Sequence, residues 1–182
     1  MKRWIVFAGL AAAVWVWWHQ SGGVSATMSA QGGLEYPGYH IAPLEEFELE
    51  ARVLSRRDYR HDRGAELAPT DLALGWGPMA EDAVLESIEI SQGNRWYFWR
   101  ASRLPIPERE ITGHSANVHV IAASTDAADA LARVDVDARV RLVGKLVEVR
   151  AEDGWRWRSS LSRTDTGAGS CEVLWLERLD VL

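Results

Sequence analysis

The residues of this sequence that could perform chemistry centre on its only cysteine. Cys171 follows Gly167 and Gly169 in the stretch SSLSRTDTGAGSCE, residues 159–172. A thiol nucleophile needs a nearby imidazole to take its proton and backbone amides to bind the developing oxyanion. The glycines could supply the amides, and His119 could supply the imidazole. Every part of a thiol active site is therefore present in the sequence.

Two histidines are candidates for the base, His114 and His119, and the second has a neighbour that could orient it. Asn117 lies two residues before His119 in ANVHVIAA, a segment whose pattern predicts a strand. Side chains two apart on a strand share a face, so the Asn117 amide could hold the ring of His119. Cys171, His119 and Asn117 together define one functional hypothesis, a cysteine-dependent hydrolase or transferase.

A structural role for Cys171 is the stronger expectation. Cys171 alternates with Val173 and Trp175, so a strand would point all three side chains to one face, and cysteine usually packs as a small hydrophobic residue. Glu172 would disfavour a thiolate beside it. The stretch TDTGAGS also has what a tight turn requires, including Asp165. We therefore expect a buried cysteine, with a nucleophile and a disulfide to another chain as alternatives.

The sequence predicts neither a metal site nor a cofactor. His114 and His119 are five residues apart, which places them on opposite faces of a strand. A metal would need further ligands such as His61 or Asp62, and no compact ligand spacing occurs. The glycines of GWGPM lack the lysine and hydroxyl residue of a phosphate loop.

Aromatic residues indicate a binding surface. Within the run RWYFWR, neighbouring side chains must face both sides of a strand, so some of them lie outside the main core. Exposed aromatic clusters usually mark an interface. We take Trp96, Tyr97 and Trp99 as binding candidates. A groove for a sugar or a peptide chain could be lined by the tryptophans of the domain, Trp76, Trp96, Trp99, Trp155, Trp157 and Trp175, and core packing is the stronger alternative. Arg163 and Asp165 are further binding candidates, whose alternative role is an ion pair that fixes the loop.

The N-terminus predicts export from the cytoplasm. Lys2 and Arg3 precede an uncharged apolar run over residues 4–18, and small residues follow at Val24-Ser25-Ala26. This is the layout of a signal peptide, and the run is also nearly long enough for a membrane anchor. Residues 1–26 are therefore a signal peptide or an anchor. The rest would be periplasmic, or anchored in the inner membrane and facing the periplasm.

The charge balance excludes one class of partner. The 182 residues carry a net charge of −6, and both Lys2 and Arg3 lie in the predicted leader, so the exported part is more acidic still. Nucleic-acid binding requires a basic surface, so we expect none. The expected partner is an envelope protein or another component of the cell envelope. Contact with the membrane would come through the N-terminal segment if it is retained.

The rest of the chain reads as one β-rich domain with short helices. Residues 27–46 are rich in small residues, glycine and proline and predict a linker, which makes 47–182 the domain. FELEARVLS alternates as a strand does. Thr70 could cap one helical turn through Leu72 and Leu74, and Ser124 could cap a helix over STDAADALARV.

The strand RVRLVGKLVEVR is the most informative element. Val140 and Leu142 share one face, but beyond Gly144 the apolar positions are Val147 and Val149, which have the opposite parity. A glycine at such a switch marks a strand that bends at a barrel corner. The pattern VRLVGKLVEV followed by the turn DGW resembles strands of oligonucleotide/oligosaccharide-binding (OB) barrels. The resemblance implies a mainly β fold built on a small antiparallel OB-like barrel, and a β-sandwich or an open α+β sheet is the alternative.

Other segments resemble a group of bacterial proteins. DLALGWGPM, HSANVHVIAA and the loop before Cys171 are similar to stretches of exported or membrane-anchored bacterial proteins to which no activity is assigned. That resemblance implies export and supplies no catalytic residues. The leading expectation is therefore a binding module of the cell envelope rather than an enzyme.

Overall fold

The computed structural model describes residues 27–28, 34–162 and 170–182, and this part of the chain is mainly β. None of its helices is long and apolar enough to cross a membrane. The predicted leader, residues 1–26, lies outside the described residues. The strands are β1 Thr27–Met28, β2 Leu34–Tyr36, β3 Tyr39–Asp58, β4 Thr70–Gly75, β5 Glu89–Gly93, β6 Trp96–Arg100, β7 Ser115–Ala122, β8 Arg139–Ala151, β9 Arg156–Arg158 and β10 Glu172–Val181, and the α-helices are α1 Asp82–Leu85, α2 Glu108–Gly113 and α3 Thr125–Ala132.

Five strands close a ring of pairings. Around the ring the order is β3, β4, β7, β10 and β8, and β8 pairs again with β3. If the ring strands β3, β4, β7, β8 and β10 are numbered 1 to 5 in chain order, their order around the ring is 1-2-3-5-4. The pairing of β7 with β10 is parallel and the other four are antiparallel. The predicted β-rich fold with short helices is confirmed, but the prediction of a wholly antiparallel sheet is wrong at β7–β10.

The interior of the ring is the main hydrophobic core. Each ring strand points alternate side chains inward, as the pleat of a strand requires. The burial of these apolar side chains is the main favourable contribution to folding. Its members from four of the strands include Leu72, Leu74, Val118, Val120, Leu142, Leu174 and Leu176.

Strand β8 changes its buried face as predicted. Leu142 belongs to the core inside the ring, whereas Val149 belongs to a second cluster outside it. At Gly144 the backbone of β10 comes so close that a Cβ atom would lie 2.0 Å from the carbonyl oxygen of Trp175. Only glycine allows this approach. It lets the first half of β8 belong to the ring and the second half pair with β9 as a ribbon.

The predicted helical turn at Thr70 is wrong, because residues 70–75 form strand β4. Every residue of β4 is buried. Leu72 faces the core inside the ring, while Ala73 belongs to a third cluster outside it. A strand buried on both faces lacks the alternation that identifies strands in a sequence. Thr70 does not cap a helix, and its hydroxyl donates to Asp58 Oδ1 at 2.7 Å.

Two boundaries show how the sequence determines local structure. Ser124 caps α3 as predicted, since its side chain accepts a hydrogen bond from the Ala127 amide. Arg56 donates to the carbonyl oxygens of Leu131 and Val134 at the other end of that helix.

Strand β3 begins at Tyr39, so the predicted domain boundary at residue 47 falls inside this strand.

Candidate functional site

A cavity of about 430 Å³ lies outside the ring, against β7 and the start of β10. Three protein segments enclose it: the loop between β3 and β4, the turn between β5 and β6, and the hairpin of β8 and β9. Its walls combine tryptophans, arginines and the two residues proposed for thiol chemistry. The lining residues are Trp96, Trp155, Trp157, Arg63, Arg95, Arg156, Arg158, Asp62, Gly64, His119 and Cys171.

His119 forms the base of the cavity, and Asp71 lies buried beside it. They face each other across β7 and β4, with Nδ1 of His119 2.9 Å from Oδ1 of Asp71. Both side chains are buried, and Nδ1 has no aligned hydrogen-bond partner among the described residues, so this is a close polar contact rather than a hydrogen bond. The ring of Trp157 covers the imidazole, with a centroid distance of 4.7 Å.

Arg95 holds the turn of the β5–β6 hairpin against this base. Its guanidinium lies 2.7 Å from Asp71 and 2.8 Å from Asp62, and it stacks 4.0 Å from the ring centre of Tyr59. Asn94 and Arg95 both have positive φ angles, 52° and 68°, which suits a two-residue hairpin turn. A positive φ is unfavourable for arginine, and the fixed side-chain contacts offset that cost.

Asn117 supports the site in a different way from the one predicted. Its Nδ2 donates to the carbonyl oxygen of Arg95 at 3.1 Å and approaches Asp71 Oδ2 at 3.5 Å. Its Oδ1 accepts from Gln92 at 2.7 Å. Asn117 therefore fixes the hairpin turn and the carboxylate, and it acts on His119 only through Asp71.

Cys171 lines the cavity instead of being fully buried. It is half-buried and immediately precedes β10, where Val173 pairs with His119. Cys171 and His119 consequently lie on the same face of the sheet and border the same cavity. The sulfur lies 3.8 Å from the carbonyl oxygen of Arg95, to which the thiol donates. Gly167 and Gly169, the predicted oxyanion donors, lie outside the described residues.

The aromatic candidates divide between surface and core. On β6, Trp96 is 37% exposed and lines the cavity, and Phe98 is 54% exposed. Tyr97 and Trp99 point the other way and pack against the third cluster, around Met79. Burial raises the pKa of Tyr97, whose hydroxyl pairs with Ser115. Tyr97 and Trp99 are thus part of a core, and only Trp96 of the predicted trio reaches the cavity.

Sequence reasoning missed Asp71 and Arg95. It did name Trp155 and Trp157 as possible groove residues, but nothing showed that the ring of Trp157 would cover His119. Asp71 had a usable signal, because it is the single charged residue of TDLALG. Arg163 and Asp165 lie outside the described residues.

The remaining histidine candidates lie away from the cavity. His114 is half-buried, with Nδ1 2.9 Å from the carbonyl oxygen of Glu110, and His61 is exposed in the loop between β3 and β4. Within the described ranges, no three His, Cys, Asp or Glu residues are grouped so that they could hold a metal ion.

The far wall of the cavity is fixed by an ion pair. Arg63 donates to both carboxylate oxygens of Asp153, at 2.7 and 2.8 Å. These hydrogen bonds from Arg63 lower the pKa of Asp153 to about 2. The guanidinium also lies 4.8 Å from the ring centre of Trp155. The arginine and the tryptophan are therefore ordered by contacts within the protein itself.

Comparison of the chain with protein-family models, with curated proteins and with solved structures finds no match. The function is therefore inferred from the geometry of the cavity and the chemistry of its walls.

Proposed function

We propose that this protein is an exported binding module built on an OB-type barrel, and that its cavity binds a saccharide component of the cell envelope. The observation that carries the proposal is the position of the cavity. OB barrels bind ligands on the face of their second and third strands, between the loop joining strands 1 and 2 and the loop joining strands 4 and 5. The cavity lies on His119 of β7, the third strand of the ring, and Asp71 of β4, the second strand, contacts that histidine. Residues of the β3–β4 loop and of the segment between β8 and β10 line it.

The chemistry of the walls favours a sugar. Trp96, Trp155 and Trp157 offer flat apolar rings with N–H donors at their edges, which suit both the C–H faces and the hydroxyls of a saccharide. Arg63 and Arg95 are held by carboxylates and need little ordering on binding. The net charge of −6 disfavours an oligonucleotide, the other ligand class of such barrels.

The binding test compares two neighbours on one strand face. Titration of the full-length protein with soluble saccharides released from the bacterial envelope should change its tryptophan fluorescence. Trp96→Ala should weaken binding about tenfold, because it removes a wall of the cavity. Phe98→Ala is the matched control, since Phe98 faces the same way but does not line the cavity. Equal losses in both variants would instead favour a protein partner on the outer face of the hairpin. Wild-type affinity in Trp96→Ala would contradict the cavity as the site.

Export is part of the proposal and has its own test. The full chain fused at its C-terminus to alkaline phosphatase should be active, because that enzyme needs the disulfides that form outside the cytoplasm. Replacing Lys2 and Arg3 with glutamate should reduce the activity, since positive charge before the apolar run sets the orientation. An inactive wild-type fusion would contradict export.

A second candidate function is cysteine-dependent acyl transfer or hydrolysis, favoured by the shared cavity of Cys171 and His119. In this reaction the thiolate would attack an acyl carbonyl, and His119 would take the thiol proton and pass it to the leaving group. Water would then hydrolyse the thioester. Binding is the leading proposal because the thiol donates to the carbonyl oxygen of Arg95, an acceptor that cannot serve as a general base.

A further inference from the structure

We infer that three arginines grouped around Glu148 form a second binding site, one that takes a phosphomonoester. The site lies on the β8–β9 ribbon and adjoins the tryptophan cavity, because Arg156 and Arg158 line both. It binds through charge and holds whether or not the cavity binds a sugar. Arg150 bonds to Oε1 of Glu148, while Arg156 and Arg158 bond to Oε2 at 2.7 and 2.5 Å. The guanidinium groups of Arg156 and Arg158 therefore bind the same carboxylate oxygen.

The register of the ribbon places these side chains on one face. Glu148 pairs with Arg158, and Arg150 pairs with Arg156. Directly opposed residues of an antiparallel pair share a face, and residues two apart do so as well. On the other side of β8, Glu148 pairs with Ala42 of β3, whose side chain is small. The neighbour on β3 is therefore small beside Glu148, while His40 of β3 flanks the cluster at Arg150.

The charge of the cluster is unbalanced. Glu148 is only 1% exposed, and hydrogen bonds led by that from Arg156 lower its pKa to about 2, so it carries a full negative charge at neutral pH. One carboxylate faces three guanidinium groups, which leaves an excess of two positive charges. A phosphomonoester carries about −1.5 to −2 at pH 7 and matches that excess. A carboxylate or a phosphodiester, with a single charge, matches it less well.

The guanidinium groups retain donors for such a ligand. The side chains of Arg150, Arg156 and Arg158 are 61%, 56% and 46% exposed. Each places one nitrogen on Glu148, and the described residues provide no partner for the other nitrogens. Arginine forks are suited to phosphate oxygens. The buried carboxylate orders the three groups before the ligand arrives, which reduces the cost of binding.

The test uses inorganic phosphate as the probe and the full-length protein. Isothermal titration calorimetry should show binding to the wild type, and Arg156→Gln and Arg158→Gln should each weaken it about tenfold. Arg178→Gln is the matched control, because Arg178 is an exposed, ion-paired arginine on β10. It should bind phosphate within about twofold of the wild type, as expected of a surface substitution that touches no ligand. Circular dichroism confirms that the variants fold.

The source of the phosphate is then distinguished with vesicles and a soluble phosphomonoester that has no sugar ring. Stronger sedimentation with phosphatidic acid vesicles than with phosphatidylcholine vesicles, lost in Arg156→Gln, would identify a lipid headgroup. Binding of glycerol 3-phosphate without that vesicle preference would identify a soluble phosphomonoester. Phosphate binding that is unchanged in both arginine variants, or equally weakened by Arg178→Gln, would overturn the inference. Because none of these probes contains a sugar ring, the results do not depend on whether the tryptophan cavity binds a saccharide.

Discussion

The imidazole of His119 and the carboxylate of Asp71 lie 2.9 Å apart on neighbouring strands, and the Asp71 side chain has no exposed surface. Arg95 reaches the same carboxylate oxygen at 2.7 Å. A buried charge with two basic neighbours holds three segments together: β4, β7 and the β5–β6 hairpin. The stability of the whole site therefore depends on Asp71.

Replacing Asp71 should destabilise the protein strongly. Asp71→Asn leaves the guanidinium of Arg95 without its buried counter-charge, which we expect to lower the free energy of unfolding by about 3 kcal/mol in urea titrations. Asp62→Asn is the matched control, because Asp62 bonds the same arginine but is 42% exposed. The control should lose less than about 1 kcal/mol. Equal losses would mean that burial of the pair does not matter.

The reactivity of Cys171 separates the two candidate functions. The thiol borders the cavity and donates to Arg95, so iodoacetamide should label the native protein no faster than the urea-unfolded chain. His119→Asn should change the labelling rate less than about twofold if His119 does not activate the thiol. Rapid labelling at pH 7 that slows at least tenfold in His119→Asn would instead support the enzyme. Slower labelling with saccharide present would place the ligand in the cavity.

Glu148 makes stability depend on pH. Hydrogen bonds, the largest from Arg156, lower its pKa from 4.5 to about 2 in the folded protein. A group whose folded pKa is depressed contributes stability above its unfolded pKa, and that contribution is lost as the pH falls from about 4.5 towards 2. Glu148→Gln should cost on the order of 2 kcal/mol at pH 7 and flatten the stability profile in this window.

The control for that profile is an exposed carboxylate. Glu89 pairs with Arg100, and both side chains are well exposed. Glu89→Gln should leave the urea midpoint nearly unchanged at every pH. A profile for Glu148→Gln that is parallel to the wild type below pH 4.5 would show that the three arginines do not stabilise the carboxylate.

Gly144 should tolerate no side chain. In Gly144→Ala the new methyl carbon would lie 2.0 Å from the Trp175 carbonyl oxygen, so β8 and β10 would have to separate. We expect a loss of at least about 3 kcal/mol or failure to fold, measured by thermal denaturation. Gly93→Ala is the matched control, because a methyl group added at Gly93 would meet no atom within 4 Å. Similar melting temperatures for both variants would contradict the close approach.

The sequence predicted the elements whose pattern is local. The change of parity around Gly144 predicted the bend of β8, and Ser124 predicted the start of α3, because each depends on neighbouring residues. Strand β4 was not predicted, since both of its faces are buried and its alternation is lost. In the same way, the aromatic run from Trp96 to Trp99 predicted side chains on both faces of a strand. It did not predict which face would pack against the rest of the protein.

The site itself could be predicted only in part. Cys171 and His119 were recognised by residue type, and the structure places both at one cavity. Their meeting depends on the parallel pairing of β7 with β10, which no local pattern reveals. Asp71 reaches the site through the pairing of β4 with β7, and Arg95 reaches it through its ion pair with Asp71. Residue types therefore identified the candidates, and only the register of the sheet showed which of them line the same cavity.

The pairing of β3 with β8 has a consequence for the order of assembly. Glu48 and Arg141 contact each other across this pair although 93 positions separate them in the chain. Contacts between such distant segments form late and slowly, because the intervening loop must first be closed at an entropic cost. A polypeptide that emerges from its N-terminus could pair β3 with β8 only after β8 had emerged, and it could complete the ring only after β10. Late closure of this kind would keep the chain open during the export that we propose.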